Sequence, residues 1–278
     1  MSATMVQEKI LQIDGLRIRT LEEGSGPAVL LLHGASAGSS ADVWTDNLPR
    51  FAARGFRAIA PDLPGFGSSD NPQDHSTAYL ERFLLALLDA LKLERAHLIG
   101  HSLSGRIALG FAFAHPQRVA KLIALGTGSL LPPLPAGQKP PGPAEGAEGA
   151  AKPPTLEDSR KLLEQNLFNH ALITPAALET RHRMSLGKNF DAFVAREQSP
   201  PAKENKDAVP LWRRLGESPV PLMLIFGKQD RGSAAERAAL AKQQHPELEI
   251  HVLDRCKHLV QWDCAAEFED LSVRFLAK

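Results

Sequence analysis

Three residues, far apart in the chain, carry side chains that together could hydrolyse a carbonyl compound. Ser102 sits in Gly100-His101-Ser102-Leu103-Ser104-Gly105, where a buried apolar run ends and a helical pattern begins. A sharp strand-to-helix turn at such a junction exposes a serine at the edge of a sheet, and small flanking residues let strand and helix approach closely. The usual pattern is G-x-S-x-G, and its last position here is Ser104, with Gly105 directly behind. A serine hydroxyl is a weak nucleophile until an imidazole takes its proton. Asp230 follows the apolar run that ends in Phe226-Gly227, and His258 lies in the loop after Leu253. The order Ser102, Asp230, His258 is that of a nucleophile, an orienting acid and a base. Of the ten histidines, His258 is the one on a post-strand loop after a suitably placed acid.

Acyl transfer also needs donors for the developing oxyanion. The main-chain N–H of Leu103, next to the nucleophile, is one candidate. The small-residue loop His33-Gly34-Ala35-Ser36-Ala37-Gly38 supplies the other, with Ala35 as the candidate donor and His33 bracing the loop.

The elements that must hold these groups are legible as alternating patterns. Residues 9–13 and 16–19 alternate in polarity around Asp14-Gly15, a hairpin signal. Ala28–Leu32 is apolar on both faces, as a central parallel strand must be. Strands are then expected over 57–61, 96–102, 119–125, 221–226 and 249–253. Helices are expected over 77–91, 103–114, 234–244 and 264–276. This rhythm predicts an α/β class chain with a doubly wound, mostly parallel eight-stranded sheet. The core would comprise residues 1–130 and 216–278. Residues 131–215 would form an inserted helical cap, with 131–154 a flexible Pro/Gly/Ala-rich loop. Residues 155–215 would be helical, opening at Thr155 and again at Thr174-Pro175.

Composition narrows the function classes. Lys+Arg and Asp+Glu are equal at 32 each, so no basic excess argues for a nucleic-acid partner. The most apolar stretches are shorter than a membrane span, and residues 1–10 lack a signal-peptide core. The expectation is a cytoplasmic protein that uses no membrane and no nucleic acid, with a homodimer left open. Cys256 and Cys264 form no zinc-like pattern and read as free thiols. No metal and no organic cofactor is implied by these residues.

The elbow, the His33-Gly34 turn and Asp62-Leu63-Pro64-Gly65-Phe66-Gly67-Ser68-Ser69-Asp70 resemble the α/β-hydrolase superfamily along nearly the whole chain. Three segments are similar to the meta-cleavage-product hydrolases, which cleave a carbon–carbon bond in 2-hydroxy-6-oxo-dienoates. They are Ala96–Gly100, the Cys256–Asp263 end (compare C-G-H-W-A-Q-W-E), and Leu172-Ile173-Thr174-Pro175 followed by Arg181. The resemblance implies that Arg181 binds a substrate carboxylate, with Arg183 and Arg196 as nearby alternatives. It also makes Trp262 and His101 candidate substrate-binding residues.

The chain departs from that group around the substrate. His101 stands for Asn, Leu103-Ser104-Gly105 for Met-Gly-Gly, Leu259 for Trp, and Ser36-Ala37-Gly38 for Gly-Pro-Gly. The first expectation is therefore a serine hydrolase of carboxylic esters. The alternative is carbon–carbon hydrolysis of ring-cleavage dienoates, so the expected partner is a small-molecule ester in the first case and a keto acid in the second. A hydrolase-fold ligand receptor is the third reading.

Overall fold

The computed structural model describes residues 6–135, 152–198 and 209–278. Strand β1 (Gln7–Ile13) turns at Asp14-Gly15 into β2 (Leu16–Glu23), with Ile13 paired to Leu16. Both turn residues have positive φ, 51° and 80°, as a two-residue hairpin loop demands. Then follow β3 (Ala28–Leu32), α1 (Leu48–Ala53), β4 (Arg57–Pro61), α2 (Thr77–Ala90), β5 (Ala96–His101), α3 (Leu103–Ala114) and β6 (Val119–Leu125). Helices α4 (Leu156–Asn166), α5 (Pro175–Arg183) and α6 (Lys188–Gln198) interrupt the rhythm. It resumes with β7 (Leu222–Gly227), α7 (Ala234–Gln244), β8 (Glu249–Leu253), α8 (Val260–Asp263) and α9 (Ala265–Ala277).

The eight strands form one sheet in the order β1-β2-β4-β3-β5-β6-β7-β8, with β2 antiparallel to both neighbours and the rest parallel. The apolar strands sort their side chains alternately to two buried layers. Leu30, Leu32, Leu98, Leu122 and Leu224 face one layer with α2, α3 and α7. Val29, Leu31, Ile99, Ile123 and Ile225 face the other with α1 and α9. Burial on both faces is why these strands read as continuous apolar runs.

The chain goes out from β3 to β4 and returns to β5 on β3's other side. Such a reversal opens a crevice at the strands' carboxyl ends. His33-Gly34 and Ser102 lie just there, after β3 and β5.

The sequence reading missed α1, α8 and the extension of β2 to Glu23. Strand β2 also carries a buried charge network. Arg19 pairs with Glu8 at 2.7 Å, Asp42 at 3.0 Å and fully buried Asp62 at 3.2 Å. Asp62 also accepts the N–H groups of Ala41 and Ser68. Burial opposes the Arg19 charge, yet its carboxylate partners hold the guanidinium above its ordinary range.

Thr155 opens α4 with a reciprocal capping box to Asp158, and Thr174 caps α5 with Pro175 at its first position, as expected. Residues 136–151, most of the expected flexible loop, lie outside the described residues. No helix among the described residues is long and apolar enough to cross a membrane.

Candidate active site

The elbow is built as its glycines require. A Cβ on Gly100 would lie 2.5 Å from the Ser104 carbonyl oxygen, and one on Gly105 would lie 2.0 Å from Thr127 Oγ1. Ser102 takes φ 55° and ψ −121°, a conformation L-residues rarely adopt, and strain of this kind concentrates at functional sites. It is locked from both ends: its N–H donates to Leu125 O at 2.7 Å, and Thr127 Oγ1 donates to its carbonyl at 2.9 Å.

The candidate acid and base meet. Nδ1 of His258 lies 2.9 Å from Asp230 Oδ2, and the other carboxylate oxygen accepts the Arg231 N–H at 2.8 Å. A carboxylate only accepts, so Nδ1 carries the hydrogen. His258 is 8% exposed. A Cβ on Gly126, whose φ is +59°, would come within 3.3 Å of the His258 ring, so the end of β6 backs the base closely.

His101 braces the same loop from the other side. Its ring centroid is 4.8 Å from that of His258, and its Nε2 lies 3.1 Å from the His258 carbonyl oxygen. Burial, then the neighbouring His258, hold His101 well below its ordinary pKa, so it stays neutral. Bonding to a carbonyl makes Nε2 the donor. His101 thus lines the cavity while spending one nitrogen on positioning His258, a role not foreseen from the sequence.

The loop after β3 comes within van der Waals reach of the elbow: a Cβ on Gly34 would lie 3.2 Å from Ser102 Cβ and 3.0 Å from His101 Nδ1. Ala35 and Leu103 are both half-buried beside it. The Leu103 N–H opens α3, where main-chain donors have no partner inside the helix.

A small cavity of about 10 Å³, room for roughly one water, is lined by Gly34, Ser36, Ser39, His101, Arg181 and His258 among others. Of the three arginines considered, only Arg181 reaches it. Its Nη2 donates to Ser36 Oγ at 2.6 Å, its Nε is buried without a partner, and no carboxylate pairs with it among the described residues. Burial lowers its pKa to about 10. Arg183 is exposed, and Arg196 donates to Gly65 O and stacks 3.9 Å over the Phe66 ring. Trp262 is placed outside the cavity. Its indole N–H donates to Val43 O at 2.7 Å, and it walls an adjoining groove of about 580 Å³ that shares Arg181 and Leu259 with the cavity.

A sequence profile of the α/β hydrolase fold matches residues 27–265. The chain belongs to the α/β-hydrolase fold family. It is a hydrolase, and its curated relatives include two that span nearly all of it. The 2-hydroxy-6-oxononadienedioate/2-hydroxy-6-oxononatrienedioate hydrolase of Paraburkholderia phymatum is 32% identical over 274 residues, covering 95% of this chain and 92% of that protein. The 2-hydroxy-6-oxo-6-phenylhexa-2,4-dienoate hydrolase of Burkholderia cepacia is 32% identical over 275 residues, covering 95% and 93%. Among solved structures, the 2-hydroxy-6-oxo-6-phenylhexa-2,4-dienoate hydrolase from Rhodococcus sp. strain RHA1 superposes with a TM-score of 0.81. It is 24% identical, covers 99% of this chain and 100% of that one, and bears on the fold alone. This α/β-hydrolase therefore resembles the meta-cleavage-product hydrolases over nearly its whole length.

Proposed function

We propose that the protein hydrolyses a carbon–carbon bond in 2-hydroxy-6-oxo-dienoates, with Ser102 as nucleophile, His258 as base and Asp230 as orienting acid. The observation that carries this is Arg181: a guanidinium with no carboxylate partner among the described residues lines the same small cavity as His258. A desolvated cation without a counter-charge is costly, and a substrate carboxylate offsets that cost. An ester substrate, the first expectation from the sequence, has no need of it. The names of the curated relatives support the same choice.

In this reading Ser102 attacks the C6 carbonyl while His258 Nε2 takes the hydroxyl proton, and Asp230 stabilises the imidazolium. The N–H groups of Leu103 and Ala35 hold the oxyanion. The carbon fragment leaves easily once the 2-hydroxyl has ketonised, its proton moving to C5, because the electron pair of the breaking C5–C6 bond then enters a conjugated dienolate. The dienolate takes the proton from the His258 imidazolium and leaves His258 neutral again. Water activated by His258 releases the second acid. Helices α4, α5 and α6 would serve as a cap over the site, and the substrate would be a small cytoplasmic keto acid.

The test is a comparison of one coloured ring-cleavage dienoate with a short-chain p-nitrophenyl ester. Dienoate turnover well above ester turnover, lost in Ser102→Ala, is the expected result. Efficient ester hydrolysis with no dienoate turnover would return the protein to the esterases.

A further inference from the structure

The last position of the elbow motif normally has no side chain, and here Ser104 puts a hydroxyl there. Ser104 is 2% exposed, and its Oγ donates to the main-chain carbonyl of His33. Ser104 belongs to the first turn of α3, the helix whose opening N–H, that of Leu103, is one candidate oxyanion donor. His33 stands two residues before Ala35, the other candidate. The bond therefore runs directly between the two halves of the oxyanion hole.

The aim of the second donor is also held. The fully buried His33 ring accepts the Leu63 N–H on Nε2 at 3.0 Å, and its Nδ1 lies 2.7 Å from Gly34 O. Accepting on Nε2 leaves the hydrogen on Nδ1, so the ring donates to Gly34 O. In a trans peptide the C=O and the following N–H point in opposite directions. Fixing Gly34 O therefore fixes the direction of the Ala35 N–H. Burial keeps this imidazole neutral, which preserves the donor-acceptor pattern. The ring sets direction and Ser104 sets the distance from α3.

We propose that Ser104 is a positioning residue for catalysis, clamping the His33–Ala35 loop to α3 so that the Leu103 and Ala35 N–H groups converge on one oxyanion. The proposal rests on Ser102 being the nucleophile and is indifferent to whether an ester or a carbon–carbon bond is cleaved. Preorganised donors act where charge develops, and losing one costs on the order of 10²–10³ in kcat. A loosened donor pair should cost less, about tenfold.

The experiment compares wild type, Ser104→Ala and Ser104→Thr on a substrate that wild type turns over, and measures inhibition by an arylboronic acid, which mimics the tetrahedral intermediate. Ser104→Ala should lower kcat about tenfold with KM little changed, and weaken boronate inhibition by a similar factor. Ser104→Thr, which keeps the hydroxyl, should recover most of both. A Ser104→Ala enzyme with wild-type kcat and boronate affinity, whatever its melting temperature, overturns the clamp. So does equal loss in the Ala and Thr variants while both stay folded by circular dichroism. Ser102→Ala run alongside tests the nucleophile separately: full activity there sinks the hydrolase mechanism itself, not the clamp geometry.

Discussion

Nη2 of Arg181 donates to Ser36 Oγ at 2.6 Å, which ties a helix of the inserted segment to the loop that carries the Ala35 N–H. Removing the guanidinium should therefore affect carboxylate recognition first. Arg181→Ala is expected to raise KM for a dienoate by about 10- to 100-fold, the range of a charge-assisted hydrogen bond or two. Arg181→Lys should recover little, because a point-charge ammonium cannot reproduce the planar fork. Steady-state kinetics on the dienoate and on its C1 methyl ester decide it: the loss should be confined to the free acid.

Asp230→Asn keeps the shape of the triad while allowing the amide to donate to His258 Nδ1 and impose the wrong tautomer. The expected loss is about 10⁴ in kcat with an unaltered fold, by analogy with the equivalent change in serine proteases. A kcat within tenfold of wild type would remove Asp230 from the mechanism.

Stability should fall in mild acid. Burial, then Lys121 and Arg95, holds His97 at about 4 against an ordinary 6.5, and its Nδ1 is buried without a partner among the described residues. Burial lowers His33 and His101 too. Between the unfolded and folded values the unfolded chain binds protons that the native state refuses. The native state is thus fully favoured above about pH 6.5 and loses stability as pH drops toward 4. His97→Gln should flatten this slope, read as melting temperature against pH. An unchanged slope would mean His97 contributes nothing to it.

Gly38 is where α5 presses on the loop after β3. Its φ is +73°, and a Cβ there would lie 2.2 Å from the Arg181 carbonyl oxygen. Gly38→Ala combines backbone strain with a clash against main chain, each worth about 1–3 kcal/mol. Chemical denaturation should show a loss of that order or more, and KM for a carboxylate substrate should rise with it. A neutral substitution would mean the loop and helix can part freely.

Much of the fold was readable because its signals are local. The bounds of β3, β4 and β6 follow from apolar runs buried on both faces, and the ends of α3 and α7 from the His-Pro pairs that follow them. The hairpin at Asp14-Gly15 was legible because only certain residues tolerate two positive φ angles. Helix α1 escaped because six residues carry too little periodicity, and the buried role of Arg19 escaped because its partners Asp42 and Asp62 are remote in sequence.

The site divides along the same line. The sequence alone nominated Ser102, Asp230 and His258 as candidates, since motif, chain order and post-strand placement are properties of the linear chain. Tertiary structure alone chose Arg181 over Arg183 and Arg196, put Trp262 in the outer groove, and turned His101 toward the His258 carbonyl. Only the tertiary structure could decide what Ser104 does: its partner His33 lies 71 residues away. A hydrogen bond across that separation leaves no periodicity or spacing in the chain, and exists only once β3 and β5 lie side by side.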